Sequence, residues 1–250
     1  MNVLAISNQK GGVGKTTSVS AVADLLSSKG KRVVMIDLDP QANLSKGLGL
    51  EAPSHTIQGV LFDEYPIEEA VVAINDNLLL VPCTKALANF EIEMLNEIGR
   101  EYILKNKLVS LKDQCDYIIL DSPPSLGLLT INALSAANSV YVPIHAQKYS
   151  LDGLQEVLET INKVKEFINP DLQFKGAYFN QYDSRKLLTR ALTDEVKDMI
   201  GEELLLKTFI RVNVALQEAP TLGKSIFKYA PDSNGAKDFS KLTEEIMLRN

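Results

Sequence analysis

The sequence predicts an α/β fold with a doubly wound, mostly parallel sheet and helices on both faces. Short apolar runs alternate with amphipathic stretches, and several runs, such as VVMID, YIILD and VYVPI, are apolar almost without interruption. A strand buried on both faces has such a run, because helices cover it from both sides. Alternation of strands and helices therefore favours a parallel sheet in which ligands bind at the carboxyl ends of the strands.

Seven segments have the strand pattern. Each is short and rich in apolar or β-branched residues, as strands of a buried sheet are. We predict strands at residues 2–7, 32–37, 77–82, 117–121, 139–144, 173–179 and 204–210.

Two stretches between these strands have helical periodicity. Residues 18–28 and 151–167 each place their apolar side chains on one face at intervals of three and four. Such a stripe predicts a helix that packs on the sheet. The predicted inward faces are Val19, Val22, Ala23 and Leu26 for the first helix, and Leu154, Val157, Leu158, Ile161 and Val164 for the second.

Composition sets broad limits on the kind of protein. The chain has 250 residues, of which 45% are hydrophobic and 23% charged, and no linker-like segment divides it, so we expect a single domain over residues 1–250. Its two cysteines, Cys83 and Cys115, are too few for a disulfide scaffold. We see no leader pattern and no membrane-length apolar run, and expect a cytoplasmic protein. The net charge of −6 argues against a strongly basic nucleic-acid binder, so any DNA contact needs a local patch or an assembled dimer.

The first predicted strand is followed by KGGVGKTT, residues 10–17, which leads directly into a helix. Gly11, Gly12 and Gly14 allow a tight turn whose N–H groups approach an anion, and the helix N-terminus adds partial positive charge. Lys15 would reach the β- and γ-phosphates, and the Thr16 hydroxyl would ligate Mg²⁺. Gln9 occupies the position of the first glycine in the usual G-x-x-x-x-G-K-[ST] loop, and Lys10 stands beside it.

A dinucleotide site is the competing interpretation of this loop. Gly12 and Gly14 form G-x-G, and Asp37 follows at the end of a later strand, where a ribose-binding acid belongs. Thr17 replaces the third glycine of that fingerprint, however, and a Lys-Thr pair has no role in it. The phosphate-binding loop is therefore favoured.

Carboxylates follow two other predicted strands. Asp37 and Asp39 in IDLDPQAN are two residues apart and share a face of an extended chain, so that one could hold metal-bound water and the other orient the attacking water. Asp121 ends YIILD, as the acid that meets Mg²⁺ in Walker B strands does. Together with the loop, these acids predict a nucleotide and Mg²⁺ site.

Three segments together resemble one family. KGGVGKT, DLDPQAN and LDSPPSLGLLTINAL are similar to the deviant Walker A, the A′ (switch I) and the Walker B (switch II) motifs of ParA/Soj-type partitioning ATPases, which belong to the ParA/MinD superfamily. The resemblance continues through residues 149–161 and 218–226 and covers nearly the whole chain. It implies the deviant Walker A form of the P-loop fold.

The resemblance implies an ATPase that uses ATP and Mg²⁺ and segregates a chromosome or plasmid. In this family, ATP closes a sandwich homodimer, the dimer binds DNA without base specificity at the nucleoid, and a ParB-type partner stimulates slow hydrolysis. The lysine that matches Lys10 touches the phosphates of the partner subunit's ATP, a cation supplied in trans like an arginine finger. The resemblance carries no membrane anchor, so none is expected.

The family's functional residues can be placed on this sequence. The catalytic set is Lys10, Lys15 and Asp39. Metal is assigned to Thr16, Asp37 and Asp121. Nucleotide contacts are assigned to Lys10, Gly11, Gly12, Val13, Gly14, Lys15, Thr16, Thr17, Asn180, Arg211 and Asn213. Asn213 matches the position that contacts the base, and Asn180 is a second base candidate.

One departure concerns the expected DNA contacts. Relatives commonly read IPRNVRLSEAP where this chain reads IRVNVALQEAP, so that Arg211 replaces a proline and Val212 and Ala215 replace arginines linked to DNA binding. The candidate substitutes are Arg185, Lys186, Arg190, Lys224 and Lys228. Lys186 and Arg190 are four apart on one predicted helical face, and Lys224 and Lys228 have the same spacing. A merely solvated helix face would have the same pattern.

Two rival functions stay open beside the family assignment, a MinD-like positioning ATPase and a small-molecule ligase. A MinD-like positioning ATPase would carry a basic amphipathic C-terminal helix, to which DFSKLTEEIMLRN is a poor match. Nitrogenase-type reductases place their second cluster cysteine after the Walker B strand, whereas Cys83 and Cys115 both precede Asp121. A small-molecule ligase of the dethiobiotin-synthetase kind is the alternative from another enzyme class. His55 and His145 have no metal-ligand spacing, so no zinc site is expected.

Overall fold

The computed structural model describes residues 1–147 and 150–250, and these contain one eight-stranded sheet. The strands are β1 (Asn2–Ile6), β2 (Val33–Asp37), β3 (Val72–Asn75), β4 (Leu78–Val81), β5 (Tyr117–Asp121), β6 (Ser139–His145), β7 (Gln173–Tyr182) and β8 (Ile210–Arg211). Their order across the sheet is β3-β4-β2-β5-β1-β6-β7-β8. All neighbouring pairs are parallel except β3 and β4. The predicted fold class is confirmed.

Helices connect the strands and cover the sheet. They are α1 (Lys15–Ser28), α2 (Asn43–Gly47), α3 (Ile57–Leu61), α4 (Ile67–Ala70), α5 (Phe90–Glu93), α6 (Ile103–Lys107), α7 (Leu128–Ala136), α8 (Ser150–Phe167), α9 (Leu187–Ile200), α10 (Ala215–Thr221), α11 (Ile226–Tyr229) and α12 (Asn234–Arg249). Short 3₁₀ turns lie at Lys85–Asn89, Arg100–Tyr102, Leu108–Leu111 and Glu202–Leu204. No helix within residues 1–147 and 150–250 has both the length and the apolar character that a membrane crossing requires.

Two apolar layers pack on opposite faces of the sheet. In β1, Val3 and Ala5 belong to one buried cluster, and Leu4 and Ile6 belong to the other, as the alternation of side chains along a strand requires. The predicted inward face of α1 packs in the second cluster together with α12. The predicted face of α8 packs in the first, with Leu158 only partly buried.

Two strand assignments made from the sequence differ from the structure. The antiparallel edge strand β3 was not predicted; it is four residues long and only partly buried. The strand predicted at residues 204–210 is wrong over most of its length, since only Leu205 forms an isolated bridge and β8 contains Ile210 and Arg211. The amides of Lys207 and Thr208 donate to the carboxylate of Glu245 on α12 instead of to a neighbouring strand.

The register brings the carboxyl ends of the central strands together. Ile6 pairs with Asp121, and Asp121 also pairs with Asp37, so the ends of β1, β5 and β2 are adjacent. On the other side of β1, Asn180 of β7 pairs with Ile210 of β8. The segments that the sequence singled out therefore meet at one edge of the sheet, as the parallel arrangement predicts.

Candidate functional site

The segment between β1 and α1 turns through two glycines with left-handed backbone. Gly12 has φ 74° and Gly14 has φ 88°, values that L side chains rarely adopt. A Cβ atom at Gly14 would lie 1.9 Å from Nδ2 of Asn180. Both the backbone angle and the close neighbour therefore require glycine at residue 14.

The end of β7 supports this loop from the side. The amide nitrogen of Asn180 donates to the carbonyl oxygen of Val13 at 2.7 Å, and its Oδ1 accepts from the backbone N–H of Gln181 at 3.0 Å. Gln181 has φ 54°, and its side-chain amide donates to the carbonyl of Gly12 at 3.4 Å. Asn180 thus binds the loop with one end of its side chain and its own strand with the other.

A cavity of about 670 Å³ opens beside the loop. Nine of the predicted nucleotide contacts line it, namely Gly11, Gly12, Gly14, Lys15, Thr16, Thr17, Asn180, Arg211 and Asn213, and Asp39 lines it as well. Lys10, Val13, Asp37 and Asp121 are not among the lining residues. The sequence analysis missed several others, including Gln41, Asn43, Lys46, Pro124, Gln181 and Gln217. Gln41, Asn43 and Pro124 lie within the quoted motifs, so they could have been named from them.

Lys15 is the buried cation of the site. It begins α1, is 6% exposed, and its ammonium donates to the carbonyl of Lys10 at 3.4 Å. Burial lowers the pKa of Lys15, and the negative charges of Asp121 and Asp39 oppose that shift. A further anion in the cavity would favour the charged ammonium in the same way.

Asp121 is a buried acid without a hydrogen-bond partner. In the part of the chain that the structure describes, neither carboxylate oxygen makes a hydrogen bond of normal geometry. Burial raises the pKa of Asp121 well above its usual range, and the neighbouring charge of Asp37 adds to the rise, whereas the Thr16 side chain and the charge of Lys15 oppose it. Buried polar atoms without partners indicate a missing ligand, and a cation would satisfy both oxygens.

Asp37 is held by a hydrogen-bond network behind the cavity. Its Oδ2 accepts from the backbone N–H and the hydroxyl of Ser45, at 2.9 and 2.7 Å, and its Oδ1 accepts from the N–H of Asp39 at 3.2 Å. The same Ser45 hydroxyl accepts from the N–H of Cys83. Burial raises the pKa of Asp37 to about 6, although the Ser45 hydrogen bonds oppose the shift. Asp37 thus fixes the segment after β2.

Asp39 lies at the surface of the cavity, although it is only 7% exposed. Its Oδ1 accepts from the N–H of Gln41 at 2.9 Å, which holds the turn after β2. Lys46, from α2, donates to the carbonyl of Gln41 at 2.7 Å. Asp39 is therefore the carboxylate of the DLDPQAN segment that can reach a molecule in the cavity.

The residues around the loop fit a Mg²⁺-bound triphosphate. The loop amides and the N-terminus of α1, a helix of 14 residues, can bind an anion, and Lys15 supplies positive charge. Thr16 lines the cavity, and the unpartnered Asp121 lies beside it. Hydroxyl and carboxylate oxygens are the ligands that Mg²⁺ prefers.

Lys10 does not line the cavity of its own chain. Its N–H donates to Oδ1 of Asn8 at 2.9 Å, and its ammonium donates to Oε1 of Gln147 at 3.4 Å. Gln9, which stands where the usual loop has glycine, hydrogen-bonds to Glu156 of α8. The side chains of both residues thus contact the α8 side of the loop, and neither residue lines the cavity.

Arg211, a lining residue of the cavity, forms an ion pair with a buried acid. Arg211 donates to Asp238 of α12 through its backbone N–H at 3.1 Å, through Nε at 2.8 Å and through Nη2 at 2.6 Å. The hydrogen bonds to Asp238 raise the pKa of Arg211. Next to it, Asn213 accepts at 2.9 Å from the N–H of Ala215, the first residue of α10. Asp238 had no signal in the sequence, because only the fold brings α12 to β8.

The candidate DNA-binding residues lie in two groups. Arg185, Lys186 and Arg190 are exposed at the start of α9, but Lys186 precedes the first turn of that helix, so the predicted shared helical face with Arg190 is wrong. Likewise Lys224 lies in the turn before α11, which contains Lys228. Arg185 makes a bidentate ion pair with Asp183, which lowers the pKa of Asp183 to about 2.

Comparison with known proteins identifies the family. A family model for an AAA domain matches residues 1–174. The sporulation initiation inhibitor protein Soj of Bacillus subtilis is 41% identical over 98% of this chain and 97% of its own length. The chromosome-partitioning ATPase Soj of Thermus thermophilus is 40% identical, over 98% and 95%. The chromosome partitioning protein ParA of Myxococcus xanthus is 39% identical, over 99% and 88%. The chain belongs to the ParA/Soj family of chromosome-partitioning ATPases. This confirms the family resemblance and the predicted ATPase class.

Solved structures share the fold of this chain. A structure titled cobyrinic acid a,c-diamide synthase from Mycobacterium smegmatis, with bound ATP analogue and magnesium, has a TM-score of 0.89 and 34% identity over 99% of this chain and 94% of its own. ATP and Mg²⁺ are the cofactors that the sequence predicts. A putative plasmid partition protein from Borrelia burgdorferi has a TM-score of 0.84 at 23% identity, over 100% and 99%, and so shares the fold.

Proposed function

We propose that this ParA/Soj family member is a single ATPase domain, residues 1–250, that segregates DNA through an ATP-dependent homodimer. The observation that carries this proposal is the pairing of the glycine loop and buried Lys15 with the unpartnered carboxylate of Asp121 at one strand edge. A buried cation for phosphate and a buried anion for metal are the two charges that a Mg²⁺–nucleotide site needs.

The loop and α1 hold the nucleotide phosphates. The N–H groups around Gly12 and Gly14 and the N-terminus of α1 bind the phosphate oxygens, and Lys15 contacts the β- and γ-phosphates. Thr16 would ligate Mg²⁺, with Asp121 and Asp37 behind it in the outer shell. When bound, Mg²⁺ neutralises charge on the phosphates and fixes their orientation.

Asp39 orients the water that attacks the γ-phosphate. It is the carboxylate after β2 that lines the cavity, and the N–H of Gln41 holds its Oδ1. Asp37 does not line the cavity and instead binds Ser45 and the N–H of Asp39. The two acids of DLDPQAN therefore have different roles. Asp39 orients the water, and Asp37 holds the backbone that positions Asp39.

Lys10 acts on the nucleotide of the partner subunit. Its ammonium lies on Gln147, outside the lining of its own cavity, so within one chain it does not face the phosphate site. A second copy that closes over the loop would bring Lys10 to the partner's phosphates, where its charge stabilises the transferring phosphoryl group. The complete catalytic set of Lys10, Lys15 and Asp39 then forms only in the dimer.

The dimer binds DNA through phosphate contacts, without base specificity, and so associates with the nucleoid. The net charge of −6 requires a local basic patch. The exposed group Arg185, Lys186 and Arg190 at the start of α9 is one candidate, and Lys224 with Lys228 is the other. A ParB-type partner stimulates hydrolysis and releases the dimer from DNA.

The deciding experiment measures ATP turnover alone, with non-specific DNA, and with DNA plus a ParB-type protein, across a salt series. We expect slow basal turnover, stimulation by DNA and partner together, and loss of the DNA effect as salt rises. If turnover is unchanged by DNA and by the ParB-type protein but rises with a small metabolite, the result would instead favour a small-molecule ligase. Absence of ATP binding would contradict the proposal entirely.

A further inference from the structure

Asp238 is a buried carboxylate beside the cavity wall. It is 4% exposed, lies on α12, and accepts three hydrogen bonds from a single residue, Arg211 of β8. Arg211 is half-exposed, with 49% of its side chain accessible, and lines the cavity. One carboxylate therefore fixes both the backbone and the guanidinium of a residue in the cavity wall.

The geometry leaves part of Arg211 free for a ligand. The hydrogen bonds to Asp238 use Nε and Nη2, and Nη1 makes no hydrogen bond within the described residues. A guanidinium carries five N–H donors in one plane and stacks well on aromatic rings. Held at one edge by Asp238, this plane can present its other edge or its face to a ring in the cavity.

The position of the pair points to the base end of the cavity. The phosphate end is formed by the loop and Lys15, which begin α1 at the end of β1. Arg211 lies two strands beyond β6, at the far side of β7, next to Asn213. A nucleotide whose phosphates bind the loop would therefore extend its base toward Arg211.

The first turns of α12 support this wall at a second point. A Cβ atom at Gly235 would lie 2.9 Å from Cγ of Leu216, another lining residue of the cavity. The same helix packs Phe239 and Leu242 into the cluster that contains Val22 of α1. Because α12 contacts both α1 and the wall, it sets the distance between the phosphate and base ends.

We propose that Asp238 is a positioning residue for nucleobase recognition, which acts by holding the Arg211 guanidinium in the cavity wall where it contacts the base. The proposal rests on the nucleotide site proposed above and adds to it a residue from α12 that does not touch the nucleotide. It predicts a loss confined to the base, because the phosphate loop does not depend on the ion pair.

The test compares the affinity for ATP with that for tripolyphosphate, which lacks the base and sugar, both with Mg²⁺, by calorimetry on the full chain. Asp238→Asn should weaken ATP binding roughly tenfold, the change expected when a charge-assisted hydrogen bond is lost. It should leave tripolyphosphate binding unchanged within about twofold, since the loop is intact. Arg211→Ala should give the same pattern, and adding Asp238→Asn to Arg211→Ala should cause no further loss.

Glu245→Gln is the matched control on the same helix. Glu245 also accepts two backbone N–H groups, from Lys207 and Thr208, and pairs with Arg249, but it does not line the cavity. We expect it to leave the ratio of ATP to tripolyphosphate affinity unchanged. If Asp238→Asn loses affinity equally for ATP and tripolyphosphate, or for neither, the inference is overturned. Failure of the wild-type chain to bind either ligand would instead contradict the nucleotide site itself.

Discussion

The side-chain amide of Asn180 donates a 2.7 Å hydrogen bond to the carbonyl oxygen of Val13, across 167 residues of sequence. This contact joins the end of β7 to the phosphate-binding loop. The oxygen of the same Asn180 amide, Oδ1, accepts from the N–H of Gln181, so the amide has a fixed orientation. The loop is therefore shaped by a second strand as well as by its own glycines.

Removing this amide should loosen the loop. We expect Asn180→Ala to weaken ATP binding by about fivefold to tenfold, because the buried carbonyl of Val13 loses its donor. Titration calorimetry with ATP and Mg²⁺ measures the change. The matched control is Gln181→Ala, which removes a longer and exposed contact of 3.4 Å and should cost much less. Equal losses in the two variants would contradict the assigned role of Asn180.

Lys15→Ala should abolish useful nucleotide binding. The ammonium is the buried cation at the phosphate end, and each charge-assisted hydrogen bond that it forms contributes about 1.5–3 kcal/mol. We expect the Kd for ATP to rise roughly 100-fold or more by calorimetry, since more than one such bond is lost. Lys46→Ala also removes a cation from the cavity lining, but one whose ammonium binds Gln41, and should retain most of the affinity. Retained ATP affinity in Lys15→Ala would count against the loop as the phosphate site.

Asp39→Ala should bind ATP and hydrolyse little of it. Loss of the residue that orients the water should lower turnover roughly 100-fold, within the range for groups that assist proton transfer or position the nucleophile. Because bound ATP persists, we expect a trapped dimer in light scattering. Normal turnover would remove Asp39 from its assigned role.

Lys10→Ala should spare ATP binding and weaken dimerisation or hydrolysis. A mixture with Asp39→Ala tests whether Lys10 acts in trans. A mixed dimer has one site with an intact Asp39 in its own chain and an intact Lys10 from the partner subunit. Equal amounts of the two inactive variants should therefore recover roughly a quarter of wild-type turnover, since half the dimers carry one complete site. A mixture as inactive as its components would show that Lys10 serves its own chain.

The buried acids should make nucleotide-free protein less stable as pH rises. Burial raises the pKa of Asp37 to about 6 and that of Asp121 well above its usual range. The native state therefore holds more protons than the unfolded chain above about pH 4, and the free energy of unfolding falls as pH rises through the native pKa values. Asp121→Asn should stabilise the apo protein at pH 7.5 by about 1–3 kcal/mol, because it removes a buried carboxyl group whose ionisation is disfavoured by burial.

Urea denaturation of wild type and Asp121→Asn between pH 4.5 and 7.5 measures this difference, which should narrow toward the acidic end. Asp37→Asn is the comparison variant. It should gain less, since the hydroxyl and N–H of Ser45 already donate to the Asp37 carboxylate. A destabilised Asp121→Asn protein at pH 7.5 would contradict the assignment of Asp121 as an uncompensated acid that awaits a cation.

Most of the fold and the phosphate end of the site followed from local patterns. The central strands are continuous apolar runs, and the segments that follow them carry glycines or acids, so both are visible in a few consecutive residues. The strands at the two edges of the sheet were harder to predict. The strand predicted at residues 204–210 failed because the carboxylate of Glu245, far away in the chain, takes up the backbone amides of Lys207 and Thr208. A local pattern contains no information about such a partner.

The supporting residues of the site could not be predicted for the same reason. Asp238 and Gln181 act through contacts with Arg211 and the glycine loop, and these contacts exist only once α12 and β7 are in place. The helical pairing of Lys186 with Arg190 failed differently, because the helix begins one residue after Lys186. Helix ends are set by a few hydrogen bonds, which spacing rules do not resolve.

The carboxylate of Glu245 has a further consequence for how copies of this protein can meet. An uncovered sheet edge is a template for another strand and a common route to aggregation. At one edge, β8 is only two residues long and the amides just before it are occupied by Glu245. At the other edge, β3 is four residues long, and its register with β4 is broken by an irregularity. Neither edge offers a long row of free amides, so the addition of a strand from another copy is disfavoured. Copies can instead associate through other surfaces, where side chains and a bound nucleotide can control the contact.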